Sequence, residues 1–146
     1  MFFLFLYPKG VKIMLKYIYL ILLLGNIMQA DFTSLSANAV QQEIKEGTVL
    51  IDIRREDEWQ YYGIIEGSHK LTFFDETGEY DINKWMEQFI KIVKDKNQKF
   101  ILVCAHANRT KTLGHFLSSE LSYKNVYELD GGINYGWIDK GLKTVK

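Results

Sequence analysis

The sequence holds one cysteine, one proline and no surplus of either charge sign. A single cysteine closes no intramolecular disulfide, so a stapled mini-scaffold is excluded and an apolar core must hold the fold. With three scattered histidines it shows no metal-ligand spacing. Proline ends at Pro8, so no proline-rich linker divides the chain. The 18 basic and 18 acidic residues cancel. Without a basic stripe the chain fits poorly to nucleic acid, whose binding rests on neutralising phosphates. Repeats and low-complexity tracts are also lacking. What is present is ordinary for a globular protein: 47% hydrophobic and 25% charged residues over 146 positions, room for one domain.

The charge is unevenly placed. Residues 1–30 contain Lys9, Lys12 and Lys16 and no acid, leaving the remainder with a net charge of about −3. This stretch carries two apolar runs, Phe2 to Tyr7 and Tyr17 to Leu24. Counted from Met14, it has a short positive region, an apolar run and a polar segment ending at the small residue Ala30, the pattern of a signal peptide. The uninterrupted run falls short of the roughly 20 apolar residues that cross a membrane. The expectation is export to the periplasm with residues 1–30 removed. A leader retained as a membrane anchor facing the periplasm is the alternative, and a mis-assigned start without export is the third case. The folded domain is expected over residues 31–146.

From Asp31 onward, apolar runs alternate with helical periodicity. Ser36 caps a helix over Ala37 to Glu46, closed by Gly47. Thr48 to Ile53 is short, apolar and β-branched, a buried strand. Glu56 to Tyr62 makes one or two helical turns, and His69 to Phe73 is a weak strand. Asp81 caps a helix whose apolar face holds Ile82, Trp85, Met86, Phe89, Ile90 and Val93, a stripe assigned to core packing. Phe100 to Val103 is a second continuous apolar strand, Thr110 to Glu120 a helix with Leu113, Phe116 and Leu117 inward, and Val126 to Leu129 a third strand. Asp130-Gly131-Gly132 turns into a last short helix containing Trp137. The pattern predicts an α/β fold: one parallel sheet with helices on both faces.

The chemistry sits where the second apolar run meets its helix. Cys104-Ala105-His106-Ala107-Asn108-Arg109-Thr110 joins a buried strand to a helix start. Ligands of open α/β sheets bind at the carboxyl ends of strands, and a loop wound round a helix start aims backbone N–H groups at one point. A thiol there has its thiolate stabilised by those groups, by the helix dipole and by a nearby guanidinium. In the absence of this setting, a lone cysteine is most simply a small buried hydrophobe.

Cys-x4-Arg-Thr after an apolar strand resembles the active-site loop of the rhodanese family. Asp52-Ile53-Arg54, Glu58-Trp59 and Gly63-Ile64-Ile65-Glu66-Gly67-Ser68 resemble its first signature, and Val126 to Ile133 with Trp137 its closing segment. Together these span roughly residues 31 to 141. The resemblance implies a rhodanese-like open parallel sheet and a sulfurtransferase with Cys104 as its catalytic residue. Cys104 would take sulfur from a small donor such as thiosulfate or polysulfide as a persulfide, then yield it to cyanide, a thiol or a protein acceptor. It also implies that Ala105, His106, Ala107, Asn108, Arg109 and Thr110 cradle the transferred sulfur, and that neither metal nor organic cofactor is needed. A persulfide carrier serving a partner protein would have the same loop. Cysteine-dependent phosphatases and related arsenate reductases are the enzymatic competitor, but phosphatase loops have five residues between Cys and Arg, and this one has four.

The match has departures. Glycine is frequent where Ala107 stands, Ile64 replaces a common histidine, and Trp59 and Gly63 are spaced slightly wider. If Ala107 adopts a left-handed conformation it costs roughly 1–2 kcal/mol, whereas Asn108 tolerates such angles better. Arg109 can hold an anionic donor or brace the loop. Asp52 and Arg54 are expected as a supporting ion pair beneath the loop. His106 is expected in solvent, Gly131-Gly132 as a turn and not a phosphate loop, and Lys91, Lys94, Lys96 and Lys99 as a solvated face. Trp59, Phe73 and Phe74 either line the entrance or fill the core.

Overall fold

The computed structural model describes residues 31–146, and the leader expected over residues 1–30 lies outside them. Five strands form one sheet: β1 (Asp31–Leu35), β2 (Val49–Asp52), β3 (His69–Lys70), β4 (Phe100–Val103) and β5 (Asn125–Leu129). Their order is β1-β5-β4-β2-β3 and every pairing is parallel. The α helices are α1 (Ala37–Lys45), α2 (Glu56–Tyr62), α3 (Ile82–Ile92), α4 (Asn108–His115) and α5 (Gly132–Gly136).

Both sheet faces are covered. On one, Ile51, Phe100, Leu102 and Val126 meet Trp85, Phe89 and Val93 of the α3 region and Leu113 and Leu117 beyond the start of α4. On the other, Leu50, Ile101, Val103 and Leu129 meet Val40 of α1 and Ile133 and Trp137 around α5. Each inner strand therefore needs apolar residues in both directions, and β4 is buried along its whole length. β4 is the third of the five strands in spatial order, so its carboxyl end, at Cys104, lies at the middle of the sheet.

Helix starts follow their caps. Ser36 Oγ accepts from the Ala39 N–H at 3.4 Å, and the Asp81 carboxylate accepts from the Lys84 N–H at 3.1 Å. At α2 the Glu58 carboxylate accepts from the Arg55 N–H at 3.1 Å, and Glu56, Asp57 and Glu58 complement the positive end of the helix dipole.

Asp31–Leu35, which the sequence left unassigned, is a strand, an edge member pairing only with β5. The polar pair Thr33 and Ser34 interrupts any apolar run, and its register depends on a strand far along the chain. Three expectations are corrected. The strand at His69 is two residues long. The helix expected over Thr110 to Glu120 starts earlier, at Asn108, and gives way to a π-helical turn, Phe116–Glu120. There Leu121 N–H reaches Phe116 O at 3.2 Å and Ser118 Oγ donates to His115 O at 3.2 Å, a local hydroxyl competing for helix carbonyls. Finally, Ile90 is 53% exposed. At about 100° per residue it lies a quarter turn from Phe89, outside the stripe, and Ile92 takes the flanking place instead.

Candidate active site

Cys104 follows β4 and is 1% exposed. The loop after it turns at Ala107, whose φ of 62° and ψ of 9° are left-handed, and α4 begins at Asn108. The strained turn thus falls on Ala107 and not on Asn108. Ala107 itself is buried at 1% exposure, leaving no room for a side chain that would tolerate the angle better by reaching outward. Among the described residues, no backbone N–H from Ala105 through Thr110 meets a protein acceptor, so the loop and the head of α4 carry a run of donors without a protein partner.

The far side of the loop is fixed by the double glycine. Ile133 N–H donates to Cys104 O at 2.8 Å and Asn134 N–H to Ala105 O at 3.1 Å. A Cβ on Gly132, which has φ 63°, would stand 2.5 Å from the Ala105 carbonyl and 2.6 Å from Cys104 O. Gly131-Gly132 is therefore a turn, as expected, and one that packs directly on the backbone of the cysteine loop.

Side chains divide sharply. Arg109 is half-buried with both Nη atoms on Glu58, at 2.8 and 2.5 Å. Burial alone would raise the Glu58 carboxyl, but the Arg109 hydrogen bonds, the Arg55 backbone N–H and the two guanidinium charges outweigh it and hold it below the ordinary glutamate range. Burial likewise opposes the Arg109 charge, and Glu58 more than restores it. Asp52 and Arg54 are fully buried and paired, with Arg54 Nη2 on Asp52 Oδ2 at 2.6 Å and on Gly63 O at 2.7 Å. His106 is exposed, its Nε2 3.0 Å from Asn134 Nδ2 and its ring tilted against that of Tyr135, and Asn108 is also exposed. Trp59 and Phe73 belong to the core, whereas Phe74 lines a groove of about 570 Å³ that runs past Asn108, Arg109 and Thr112 on the outer side of the loop.

Thr110 faces the sulfur. Its Oγ1 lies 3.4 Å from Cys104 Sγ and donates to Glu128 Oε2 at 2.5 Å. Glu128, on β5, is fully buried and its other oxygen accepts from Ser34 Oγ of β1 at 2.6 Å. Neither Glu128 nor the bracing part of Glu58 emerges from the sequence. The available signal is the acid inside Val126-Tyr127-Glu128-Leu129: a carboxylate flanked by core residues in a central strand is buried only with partners.

The match to the rhodanese-like domain model runs over residues 36–139. The chain belongs to the rhodanese-like family. An uncharacterized protein of Rickettsia conorii is 30% identical over 102 residues, covering 67% of this chain and 79% of its own. Among solved structures, a rhodanese-related protein of Thermoplasma volcanium superposes with a TM-score of 0.59 at 25% identity, covering 77% of this chain and 97% of that one. The polysulfide-sulfur transferase homodimer of Wolinella succinogenes gives 0.60 at 21%, covering 95% and 93%. A Rhodopseudomonas palustris protein of unknown function, described as a possible tyrosine phosphatase, gives 0.51 at 22%, covering 95% and 96%. The last two likenesses establish the rhodanese-like fold and nothing finer.

Proposed function

We propose that this rhodanese-like domain is a sulfurtransferase that carries sulfane sulfur on Cys104. The observation supporting it is the thiol at the carboxyl end of the central strand, at the start of a loop whose backbone N–H groups from Ala105 through Thr110 have no protein acceptor. The thiolate attacks the terminal sulfur of thiosulfate or polysulfide, the sulfur–sulfur bond of the donor breaks, and sulfite or a shortened polysulfide leaves with the bonding pair. The acceptor then attacks the outer sulfur of the persulfide and releases the Cys104 thiolate. Arg109 acts as a brace, because Glu58 occupies its fork, and recognition of the transferred sulfur falls to the loop amides. With Cys104 only 1% exposed, the donor must be narrow at its reacting end. The four-residue span between Cys104 and Arg109 suits a single sulfur better than a phosphate with three equatorial oxygens, which argues against ester hydrolysis.

Intact mass after incubation with each donor, beside Cys104→Ser, tests this. A gain of one sulfur, roughly 32 Da, absent from the variant and lost on adding cyanide or a thiol, is expected. No adduct from protein with a proven free thiol, or turnover of a phosphate ester, removes the proposal. Fast multiple turnover marks an enzyme, and stable retention of the sulfur marks a carrier for a partner protein. Export belongs to the same proposal, and N-terminal sequencing of the mature protein tests it: a first residue upstream of Gly25 overturns cleavage of the leader.

A further inference from the structure

The hydroxyl of Thr110 has one proton and two partners. An ionised Glu128 only accepts, so the short Thr110–Glu128 contact takes that proton, and Cys104 Sγ at 3.4 Å must then donate to Thr110 Oγ1. The resting arrangement is therefore a one-way chain: Sγ–H to Thr110, Thr110 to Glu128. A thiolate reverses it. An anionic sulfur only accepts, so its contact with Thr110 survives only if the hydroxyl turns its proton toward Sγ, and the hydroxyl oxygen then faces Glu128 Oε2 as an acceptor. Two acceptors in contact at that distance require a proton on Glu128.

We propose that Glu128 is the positioning residue that stores the Cys104 proton, receiving it through the Thr110 hydroxyl when the thiolate forms. This rests on Cys104 being the sulfur nucleophile. The Sγ–H bond breaks as that proton binds Thr110 Oγ1, while the proton already on Thr110 passes to Glu128 Oε2. No electrons change hands and the net charge of the three groups stays at one negative. A persulfide anion formed in place of the thiolate keeps the same count. A second buried negative charge beside an ionised Glu128 is thus avoided, and it is this second charge that a low-dielectric site opposes most strongly. When the acceptor removes the sulfur, the proton returns to Sγ by the same route.

The groups facing the relay suit this. Glu128 meets Ser34 from β1, Thr110 and the ammonium of Lys111 from α4, the last at 3.7 Å and half exposed. Its partner across the sheet on β4 is the apolar Leu102. Cys104 feels the positive charge of Arg109, which Glu58 in turn neutralises. Glu128 is fully buried and its Oε2 faces Cys104 through the Thr110 hydroxyl, while its Oε1 is held by the exposed Ser34.

The test reads Cys104 without any sulfur donor, so it stands apart from the sulfur-transfer assay. Thiolate is followed by its ultraviolet absorbance against pH in the wild type, Glu128→Gln and Thr110→Val, with Cys104→Ser subtracted as the tyrosine blank. The sole cysteine makes the signal unambiguous. If thiol and carboxyl share one proton, the wild-type thiolate develops in two steps, part of it at the lower one. Glu128→Gln loses the lower step and gives one sigmoid, and Thr110→Val, without the bridging hydroxyl, changes the share of thiolate formed in that step. The infrared band of a protonated carboxyl, present between the two steps and absent in Glu128→Gln, assigns the proton. A single wild-type step coincident with that of Glu128→Gln overturns the proposal, as does a two-step profile that survives in Glu128→Gln. If a variant fails to fold, the wild-type profile and its carboxyl band still decide.

Discussion

At the scale of single residues, the site is built from compromises visible one at a time. Ala107 holds a left-handed φ that glycine adopts without a Cβ clash, and it does so in a sealed position. Ala107→Gly removes that strain but loosens the unfolded chain. The two effects are of similar size, so chemical unfolding should show a change between zero and about 1 kcal/mol of added stability. Glu58 supplies a pH dependence whose sign follows from its shift. Its folded carboxyl is held below the ordinary value, so the stability it contributes is complete above the unfolded value of about 4.3 and is lost as pH falls toward the lower folded one. Acid unfolding of Glu58→Gln should therefore be flatter than that of the wild type over this window and start from a lower stability at neutral pH. Parallel curves would show that Arg109 is not held by this carboxylate. The sequence could not assign these roles because the partners are distant: Arg109 and Glu58 are 51 positions apart, Ser34 and Glu128 are 94 apart.

At the scale of elements, what was legible in the sequence was whatever is decided locally. Phe100–Val103 and Glu56–Tyr62 stand where apolar runs, caps and glycine stops put them. What was hidden depends on a neighbour. β1 is a strand because β5 offers a free edge, and the π-helical turn arises because Ser118 bonds back to His115 O. The loop itself was legible as a motif, but its support was not. The Gly131-Gly132 turn reads locally as a turn, whereas its contact with Cys104 and Ala105 is tertiary. Gly132→Ala tests that contact: a Cβ at 2.5 Å from backbone must push the loop or the turn aside. Since φ is also positive there, the expected loss is about 2 to 4 kcal/mol in chemical unfolding, with sulfur loading on Cys104 falling at the same time. A fully stable variant that loads normally would mean that the turn does not hold the loop.

At the scale of the whole molecule, two apolar clusters cover the two faces of a sheet whose middle strand delivers the only cysteine. The burial of Cys104, 1% exposed behind its own loop, governs how copies of the protein treat one another. Joining two chains through sulfur needs the atoms at roughly 2 Å and the Cα atoms within about 7 Å, an approach that two recessed loops deny each other. Concentrated protein exposed to a mild thiol oxidant should run as a monomer on a non-reducing gel, and a ladder or dimer band would show that the loop swings open. Crowding, the usual hazard for a solitary thiol, is thereby made harmless, and the molecule can be plentiful without becoming its own target.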